Sequence, residues 1–344
     1  MTGTAVTLRD LEVHYPLGRN MLGTPQVLKA VAGVTLDIPR GSFFGLVGES
    51  GSGKTTLGRA TLAAAPVSAG RVTVTDRDGE VFDMARLDRA QEKRFRRRAQ
   101  LIFQDPYAAL SPRMTVRDII AEPLEVMRLC KTRDEVNDRV RAIAAQCRLN
   151  IEHLRRFPHA FSGGQRQRIS IARALVTNPD YIVADESVAA LDVSIQADIL
   201  NLLKQLQHDL GLTFLFISHD LSVVAHSCDH VAVMYLGRIV EVAPPRRLFA
   251  APRHPYTRAL ISAIPSLDPD DRGRAERLEG EIPSPANPPS GCAFHTRCPM
   301  ARDRCRAEAP ALRQVGTGQR AACHFSEEMA ASSVRTGARA GVPG

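Results

Sequence analysis

The sequence predicts an α/β fold, in which a doubly wound parallel sheet is followed by a small loop-rich module. Two continuously apolar strands, at 181–185 and 213–218, are separated by a helix-like stretch at 194–210, a pattern typical of a parallel sheet that is buried on both faces. A glycine-rich loop follows a third apolar strand and precedes a helix. Prolines become frequent after Pro244, which marks the C-terminal module.

Length and charge limit the functional classes. The chain has 344 residues, of which 44% are hydrophobic, enough for one α/β domain of about 240 residues and an appendage. We expect a cytoplasmic protein, because the sequence has neither a run of about 18 apolar residues nor a secretory signal pattern. The formal net charge of +8 suits nucleic acid and the anionic inner surface of a membrane equally.

The first hundred residues predict a small antiparallel β piece. Strand-like stretches over 5–40 are broken by a predicted loop at 16–25, and residues 71–75 alternate like an edge strand. A basic run follows at 93–98. It predicts either contact with phosphates or nucleic acid, or a solvated helix face near a membrane partner, and we favour the solvated face.

Residues 48–55 read G-x-x-x-x-G-K-T, after an apolar strand at 43–47 and before a predicted helix at 56–65. The glycines let backbone N–H groups surround phosphates, Lys54 can reach the β- and γ-phosphate oxygens, and Thr55 can ligate Mg²⁺. The loop predicts a nucleoside triphosphate site formed by Gly48, Glu49, Ser50, Gly51, Ser52, Gly53, Lys54, Thr55 and Thr56.

A short buried strand at 101–103 ends at Gln104, and the following residues to 160 are mostly helical in pattern. We interpret about 105–168 as a helical insertion into the α/β domain. A second predicted strand ends in two acidic residues, because four apolar residues lead into Asp185 and Glu186. Asp185 can hold Mg²⁺ through water, and Glu186 can orient and deprotonate the water that attacks the γ-phosphate, which accelerates the reaction about 10²- to 10⁴-fold.

A second anion-binding helix start follows the insertion. Two glycines and a serine expose donors directly before a predicted helix at 169–176. Since one loop already serves one nucleotide, we expect this turn to complete a site on another subunit, with ATP held between two protomers. The residues of the turn are Ser162, Gly163, Gly164 and Gln165.

With these motifs, residues 5–245 resemble the nucleotide-binding subunit of ATP-binding cassette (ABC) transporters, in which Ser-Gly-Gly-Gln is the signature. The resemblance implies a RecA-like core with an antiparallel β piece and a helical subdomain. It also implies that Gln104 senses Mg²⁺ and a transmembrane partner, that Asp192 belongs to a dimer-contact loop, and that Tyr15 stacks on adenine. The implied catalytic residues are Lys54, Glu186 and the switch histidine His219. The implied Mg²⁺ ligands are Thr55, Gln104 and Asp185.

Two positions depart from the pattern of the family. Ser187 replaces a proline, so that Glu186 loses the support of a fixed φ angle. Ala189 lacks a hydroxyl that the dimer-contact loop otherwise carries. We expect reduced but real ATPase activity.

Three C-terminal segments, at 254–260, 278–285 and 288–299, resemble ATP-binding subunits of oligopeptide/dipeptide importers. The resemblance then extends to about Phe325, within a module that we place at 246–328 and ahead of a disordered tail at 329–344. It implies import of short peptides, although some relatives serve nickel and other small solutes.

Four of the seven cysteines lie in this module. The importer resemblance permits a [4Fe–4S] cluster on four thiolates, whereas structural zinc sites usually contain a C-x₂₋₄-C pair, which is missing here. Cluster, zinc and no metal stay open, and the cluster is favoured. The cysteines of the module are Cys292, Cys298, Cys305 and Cys323; those expected to be buried hydrophobes are Cys130, Cys147 and Cys228.

The resemblance implies two separate integral-membrane permease subunits, a second ABC ATPase subunit and, indirectly, a periplasmic or extracellular peptide-binding protein. It places the chain at the cytoplasmic face of the inner membrane, with ATP and Mg²⁺ as cofactors and no nucleic acid. The main alternative is a cassette-type ATPase that binds nucleic acid through the basic run around Arg96. A third interpretation is an ATP-dependent regulatory switch that responds through the cysteines.

Overall fold

A computed structural model describes residues 3–19, 25–105, 109–189, 191–264 and 280–329. No helix in these ranges is both long enough and apolar enough to cross a membrane. The predicted C-terminal tail lies outside the described residues except for Met329, whose side chain is fully buried. Positions 278–279 of the second importer-like segment also lie outside them.

The described residues form an α/β structure with two sheets. The strands are β1 (Thr4–Arg19), β2 (Pro25–Pro39), β3 (Phe43–Val47), β4 (Ala69–Thr75), β5 (Val81–Asp83), β6 (Ala99–Ile102), β7 (Tyr181–Asp185), β8 (Thr213–Ser218), β9 (His230–Tyr235), β10 (Arg238–Ala243), β11 (Arg313–Gly316) and β12 (Gln319–Ala321). The helices are α1 (Lys54–Ala60), α2 (Arg89–Arg98), α3 (Val116–Val126), α4 (Arg133–Gln146), α5 (Gly163–Leu175), α6 (Val193–Leu210), α7 (Leu221–Ser227), α8 (Pro245–Ala250), α9 (Pro255–Ser262) and α10 (Asp303–Ala307).

The larger sheet has eight strands in the order β11-β12-β10-β9-β3-β8-β7-β6. Strands β6 to β9 and β3 pair in parallel, and β10 and β12 extend the sheet in antiparallel fashion. Side chains of β8 alternate between two cores: Phe214 and Phe216 pack with the helical part, whereas Leu215 and Ile217 pack with the smaller sheet. Both faces are therefore covered, which explains the continuously apolar strands.

The smaller antiparallel sheet has the order β2-β1-β4-β5. The predicted loop at 16–25 is wrong at both ends, because Pro16 pairs with Val27 and Gly18 with Gln26, and register shifts accommodate these turn residues. The edge position predicted for 71–75 is also wrong. Strand β4 lies between β1 and β5, since the short β5 folds back on it.

Three predicted boundaries differ from the structure. The strand expected at 101–103 is β6 at the edge of the large sheet, and Phe103 beyond it is 44% exposed rather than buried. Helix α1 ends at Ala60 instead of reaching 65, because Ala63 has a positive φ of 52°. Helix α5 begins at Gly163, six residues before the predicted start at 169, because Ser162 caps it.

Helices α3 and α4 and two 3₁₀ turns, Ile151–Arg155 and Pro158–Ala160, lie within the stretch expected to be a helical insertion. They enclose one side of the core with apolar residues of α5. The basic run lies on α2, where Arg94 pairs with Glu80, Arg96 with Glu92, and Arg98 with three aspartates, Asp76, Asp78 and Asp180. These ion pairs partly neutralise the run.

The C-terminal module is joined to the large sheet rather than separate from it. Strand β12 pairs with β10, and the buried carboxylate of Glu241 on β10 accepts hydrogen bonds from the backbone N–H groups of Arg253 and His254 at 2.9 and 3.0 Å. The same carboxylate accepts a hydrogen bond from Gln319 Nε2 at 2.8 Å. One buried acid therefore fixes the start of α9 and the β11–β12 hairpin.

Burial raises the pKa of Glu241 from 4.5 to about 6. A group with a raised folded-state pKa contributes its full stabilisation below the unfolded pKa and loses it as the pH rises through the folded pKa. Relative to the Glu241→Gln variant, the wild type should therefore lose about 2 kcal/mol of unfolding free energy between pH 4.5 and 7. Urea unfolding at a series of pH values measures this difference. The exposed-site variant Glu152→Gln should follow the wild type, and parallel profiles for Glu241→Gln and wild type would contradict the prediction.

Candidate nucleotide-binding site

The glycine-rich loop connects β3 to α1 and depends on glycine at two positions. Gly48 and Gly53 have φ angles of 154° and 102°, in the region that side-chain-bearing residues rarely adopt. A Cβ atom at Gly48 would clash with the carbonyl oxygen of Met234, and one at Gly53 would clash with that of Ala30. The backbone of the loop therefore takes a path that only glycine allows.

Lys54 is held inside this loop. Its ammonium donates hydrogen bonds to the carbonyl oxygens of Gly48 at 2.8 Å and Glu49 at 2.9 Å. Burial lowers the pKa of Lys54, and the carboxylates of Glu186, Asp185 and Glu49 oppose this shift. The amine thus lies among the loop's own carbonyl groups, with acidic side chains near it.

Thr55 and Asp185 bring two oxygen donors together. The Thr55 hydroxyl donates a 3.0 Å hydrogen bond to Asp185 Oδ1. Burial raises the pKa of Asp185, whereas the bond from Thr55 lowers it. Two adjacent oxygens fit a Mg²⁺ ion, which usually takes one or two protein ligands and completes its octahedron with waters and phosphates. The described residues contain no group of three or more His, Cys, Asp or Glu side chains that would form an all-protein metal site.

Glu186 joins two other predicted site residues. Its carboxylate Oε2 accepts a 2.8 Å hydrogen bond from Gln104 Nε2 and lies 3.4 Å from His219 Nδ1. Glu186 has a φ of 45°, and its backbone N–H donates to the carbonyl of Ile217 on β8 at 3.0 Å. A left-handed conformation is unfavourable for a glutamate and is often found at functional sites.

The Ser162–Gln165 turn lies at the start of α5. The Ser162 hydroxyl accepts from the Gln165 backbone N–H, and the Gln165 side chain accepts from the Ser162 N–H, which forms a capping box. A Cβ atom at Gly164 would clash with Ile195 on α6, whereas one at Gly163 would only make an ordinary contact with Leu191 at 3.5 Å. No hydrogen bond between described residues joins this turn to the 48–55 loop.

The remaining predicted residues lie at several places. Ser52 is buried in the loop, Ser50 and Gly51 are exposed, and Thr56 is half-buried in the first turn of α1. Asp192 is exposed at the N-cap position of α6 without a side-chain capping bond. Tyr15 lies on β1, half-buried against the core of the smaller sheet.

Sequence reasoning missed two residues that contact the loop. Arg297 donates to both carboxylate oxygens of Glu49, at 2.8 and 3.2 Å, and the Glu49 backbone N–H donates to the Tyr256 hydroxyl at 2.9 Å. Both residues lie in importer-like segments of the C-terminal module. Neither local pattern indicates that its partner is the phosphate-binding loop.

The four cysteines of the module line one small cavity of about 20 Å³. Burial raises the pKa of Cys292, and it raises the pKa of Cys298 to about 11 and that of Cys323 to about 12. The four side chains therefore converge, although no three of them are positioned as the ligands of a single ion within the described residues. Of the other cysteines, Cys147 and Cys228 are buried and Cys130 is half-buried.

Three features define a cassette-type nucleotide-binding ATPase. They are a glycine-rich phosphate loop, an aspartate–glutamate pair at the end of β7, two strands away in the same sheet, and a helix capped by a serine–glycine turn. Residues 31–189 match the ABC transporter family, and residues 240–305 match the family described as oligopeptide/dipeptide transporter, C-terminal region. The chain belongs to the ABC transporter family, in the branch that carries this C-terminal region.

Relatives of known name are similar over nearly the whole chain. A putative peptide import ATP-binding protein of Brucella ovis is 53% identical over 324 residues, which cover 94% of this chain and 98% of the relative. The putative oligopeptide transport ATP-binding protein YkfD of Bacillus subtilis is 48% identical over 92% of this chain and 94% of its own. The di/tripeptide transport ATP-binding protein DppF of Pseudomonas aeruginosa is 45% identical, and the match covers 94% of this chain and 98% of the relative.

Solved structures share the fold of most of the chain. The ATP-binding cassette MJ0796, in a dimeric post-hydrolysis state with ADP and Pi, superposes on this chain with a TM-score of 0.61 at 28% identity. The match covers 70% of this chain and 99% of MJ0796. The cbiO1 protein of Clostridium perfringens, part of the ABC transporter complex cbiONQ, has a TM-score of 0.61 at 27% identity. The match covers 72% of this chain and 91% of cbiO1.

Ser187 offers a test of how well the loop after Glu186 is packed. The Ser187 hydroxyl is buried without a hydrogen-bond partner among the described residues, and such a group lowers stability. Ser187→Ala should raise the free energy of unfolding by about 1 kcal/mol. The matched variant Ser42→Ala should lower it, because the buried Ser42 hydroxyl donates to the carbonyl of Pro39 at 2.7 Å. Denaturant unfolding measures both variants, and destabilisation by Ser187→Ala would show that the Ser187 hydroxyl stabilises the fold.

Proposed function

We propose that this chain is the ATP-hydrolysing subunit that powers import of short peptides through separate membrane permease subunits. The observation that carries the proposal is the convergence of Thr55 with Asp185, and of Gln104 and His219 with Glu186, beside the phosphate loop. The C-terminal match to oligopeptide/dipeptide transporters and the names of the relatives support peptides as the substrate class.

The proposed reaction is hydrolysis of the γ-phosphoryl group. Backbone N–H groups of the loop and Lys54 bind the phosphates. Thr55 and Asp185 would hold Mg²⁺, with Gln104 as a further ligand, and the ion would supply positive charge that stabilises the phosphates. Glu186 orients a water and accepts its proton as the water oxygen bonds to the γ-phosphorus, while the bond to the bridging oxygen breaks and ADP leaves. His219, whose Nδ1 lies 3.4 Å from Glu186 Oε2, would contact the γ-phosphate.

ATP binding is proposed to occur between two ATPase subunits. The Ser162–Gln165 turn has donors at a helix start and, among the described residues, no hydrogen bond to the loop of its own chain, so it could bind the nucleotide of a second subunit. The half-buried Gly163 lies beside Leu191, next to the exposed Asp192 at the start of α6. Closure of two such subunits, identical or paralogous, on ATP and their reopening after hydrolysis would drive the permeases. Tyr15 is proposed to stack on the adenine.

An apolar groove of about 460 Å³ supports docking of a permease beside Gln104. It lies between β6 and α3, and its exposed apolar side chains include Phe103, at 44% exposure, and Val126, at 75%. Exposed apolar surface of this kind commonly marks an interaction site. This arrangement would hold the chain at the cytoplasmic face of the inner membrane, with a periplasmic or extracellular peptide-binding protein acting through the permeases.

The ion pairs of Arg94, Arg96 and Arg98 disfavour the nucleic-acid alternative.

The central test of the chemistry is the Glu186→Gln variant. Loss of the general base should lower ATP turnover by at least about 10²-fold, while binding of ATP is retained because the phosphate loop is intact. Phosphate release and binding of a fluorescent ATP analogue measure the two properties separately. Glu152→Gln, at an exposed site, is the control for a generic loss of one carboxylate. Unchanged turnover in Glu186→Gln would show that another group activates the water.

For the cysteines we propose a [4Fe–4S] cluster as a structural cofactor, with zinc and no metal as the alternatives. All four thiols line one cavity, and four cysteine ligands are the usual set for such a cluster. Anaerobically purified protein should contain about four iron and four sulfide atoms per chain, and a Cys305→Ser variant should lose them. Stoichiometric zinc, or neither metal in anaerobic preparations, would reject the cluster.

A further inference from the structure

Within the described ranges, the C-terminal module makes hydrogen bonds to the phosphate-binding loop at Glu49. Arg297 forms a two-pronged ion pair with the Glu49 carboxylate, with N–O distances of 2.8 and 3.2 Å. Tyr256 accepts a hydrogen bond from the Glu49 backbone N–H at 2.9 Å. Side chain and backbone of the same loop residue are thus held by two different segments of the module.

The ion pair is shielded from water. The Arg297 side chain is 6% exposed and the Glu49 side chain is 26% exposed. A two-pronged guanidinium–carboxylate pair has defined geometry as well as strength, and removal of one partner leaves the other charge buried and unpaired. The pair therefore fixes the position of Glu49 more firmly than a surface ion pair would.

An aromatic cluster holds both contacting residues in place. The rings of Tyr235, Tyr256 and Phe294 lie 4.8 to 5.5 Å apart between centroids. The Arg297 guanidinium lies over the Tyr235 ring at 5.9 Å from its centroid, within range of a cation–π attraction. Tyr256 and Arg297 are therefore rigid supports rather than mobile surface side chains.

The contact acts on the residue that also holds Lys54. The Glu49 carbonyl accepts hydrogen bonds from Lys54 Nζ at 2.9 Å and from the Ser52 backbone N–H at 3.2 Å. The N–H, the carbonyl and the carboxylate of Glu49 are consequently all engaged. A shift of Glu49 would move the lysine and the loop backbone together.

We propose that Arg297 and Tyr256 are positioning residues of the ATP site, which hold the phosphate-binding loop in its binding conformation from the C-terminal module. The inference rests on the proposed function, because it assigns these residues to the ATP site of that function. The cassette MJ0796 has bound ADP and Pi, and 99% of its chain matches 70% of this chain, so a cassette without a counterpart for all of this chain binds nucleotide. Loss of the contacts should therefore weaken ATP binding rather than abolish it.

Two single variants test the inference. Tyr256→Phe removes only the hydroxyl, and Arg297→Gln removes the charge. Each should raise the KM for ATP and the Kd of a fluorescent ATP analogue by about three- to tenfold, with kcat changed less than twofold, because the contacts pre-form the binding site and do not touch the reacting atoms. Arg297→Lys keeps the charge but not the fork, and should fall between Arg297→Gln and wild type.

The double variant Arg297→Gln/Glu49→Gln separates positioning from simple charge loss. Both partners are then neutral and can still form a hydrogen bond, so ATP affinity should recover at least partly relative to Arg297→Gln. The matched control is Arg302→Gln in the same module. Arg302 makes a similar two-pronged pair with Glu328 and lies over the Phe325 ring, but this pair does not contact the loop. The KM of the Arg302→Gln variant for ATP should therefore equal that of the wild type.

The outcomes distinguish this inference from the proposed function. ATP turnover that requires Glu186, together with an unchanged KM in both Tyr256→Phe and Arg297→Gln, would overturn the positioning role and leave the proposed function standing. An equal KM increase in Arg302→Gln, or loss of thermal stability without any change in the KM of the folded variants, would assign Arg297 a merely structural role and overturn the inference. A wild type that neither binds nor hydrolyses ATP would overturn both.

Discussion

The parallel pairing of β3, β8 and β7 is the constraint on which the rest of the structure depends. Because these strands run side by side in one direction, their carboxyl ends meet at the same edge of the sheet, and the phosphate loop, His219 and the Asp185–Glu186 pair follow them directly. The alternation of β8 side chains between two cores fixes this register, since a slip of one residue would exchange the cores and displace the site residues together.

The C-terminal module is part of the nucleotide-binding body. Glu241 fixes it to the sheet at β10, and Glu49 receives contacts from it at the phosphate loop. The buried Glu241 and the half-buried Glu49 thus connect regions that are far apart in the sequence. The cysteine cavity adjoins the aromatic cluster, because Phe294 lines the cavity and its ring packs against Tyr256.

The sequence predicts those parts of the site that local backbone chemistry determines. The 48–55 loop and the strand-end carboxylates fall in this class, because glycine conformations and strand ends are local properties. The prediction fails at Pro16 and Gly18, where register shifts accommodate turn residues within a strand, and at β4, whose interior position depends on the strand that folds back on it. The Arg297–Glu49 pair spans 248 positions, and nothing in either local pattern identifies the partner.

We propose that this ATPase works with membrane permeases and a second cassette subunit. Isolation of the tagged chain from gently solubilised membranes, with identification of its partners by mass spectrometry, tests this directly. We expect two multi-span subunits and a cassette ATPase, with the permeases lost in a Phe103→Asp/Val126→Asp variant that still hydrolyses ATP. Recovery of nucleic acid, or of soluble partners alone, would contradict it.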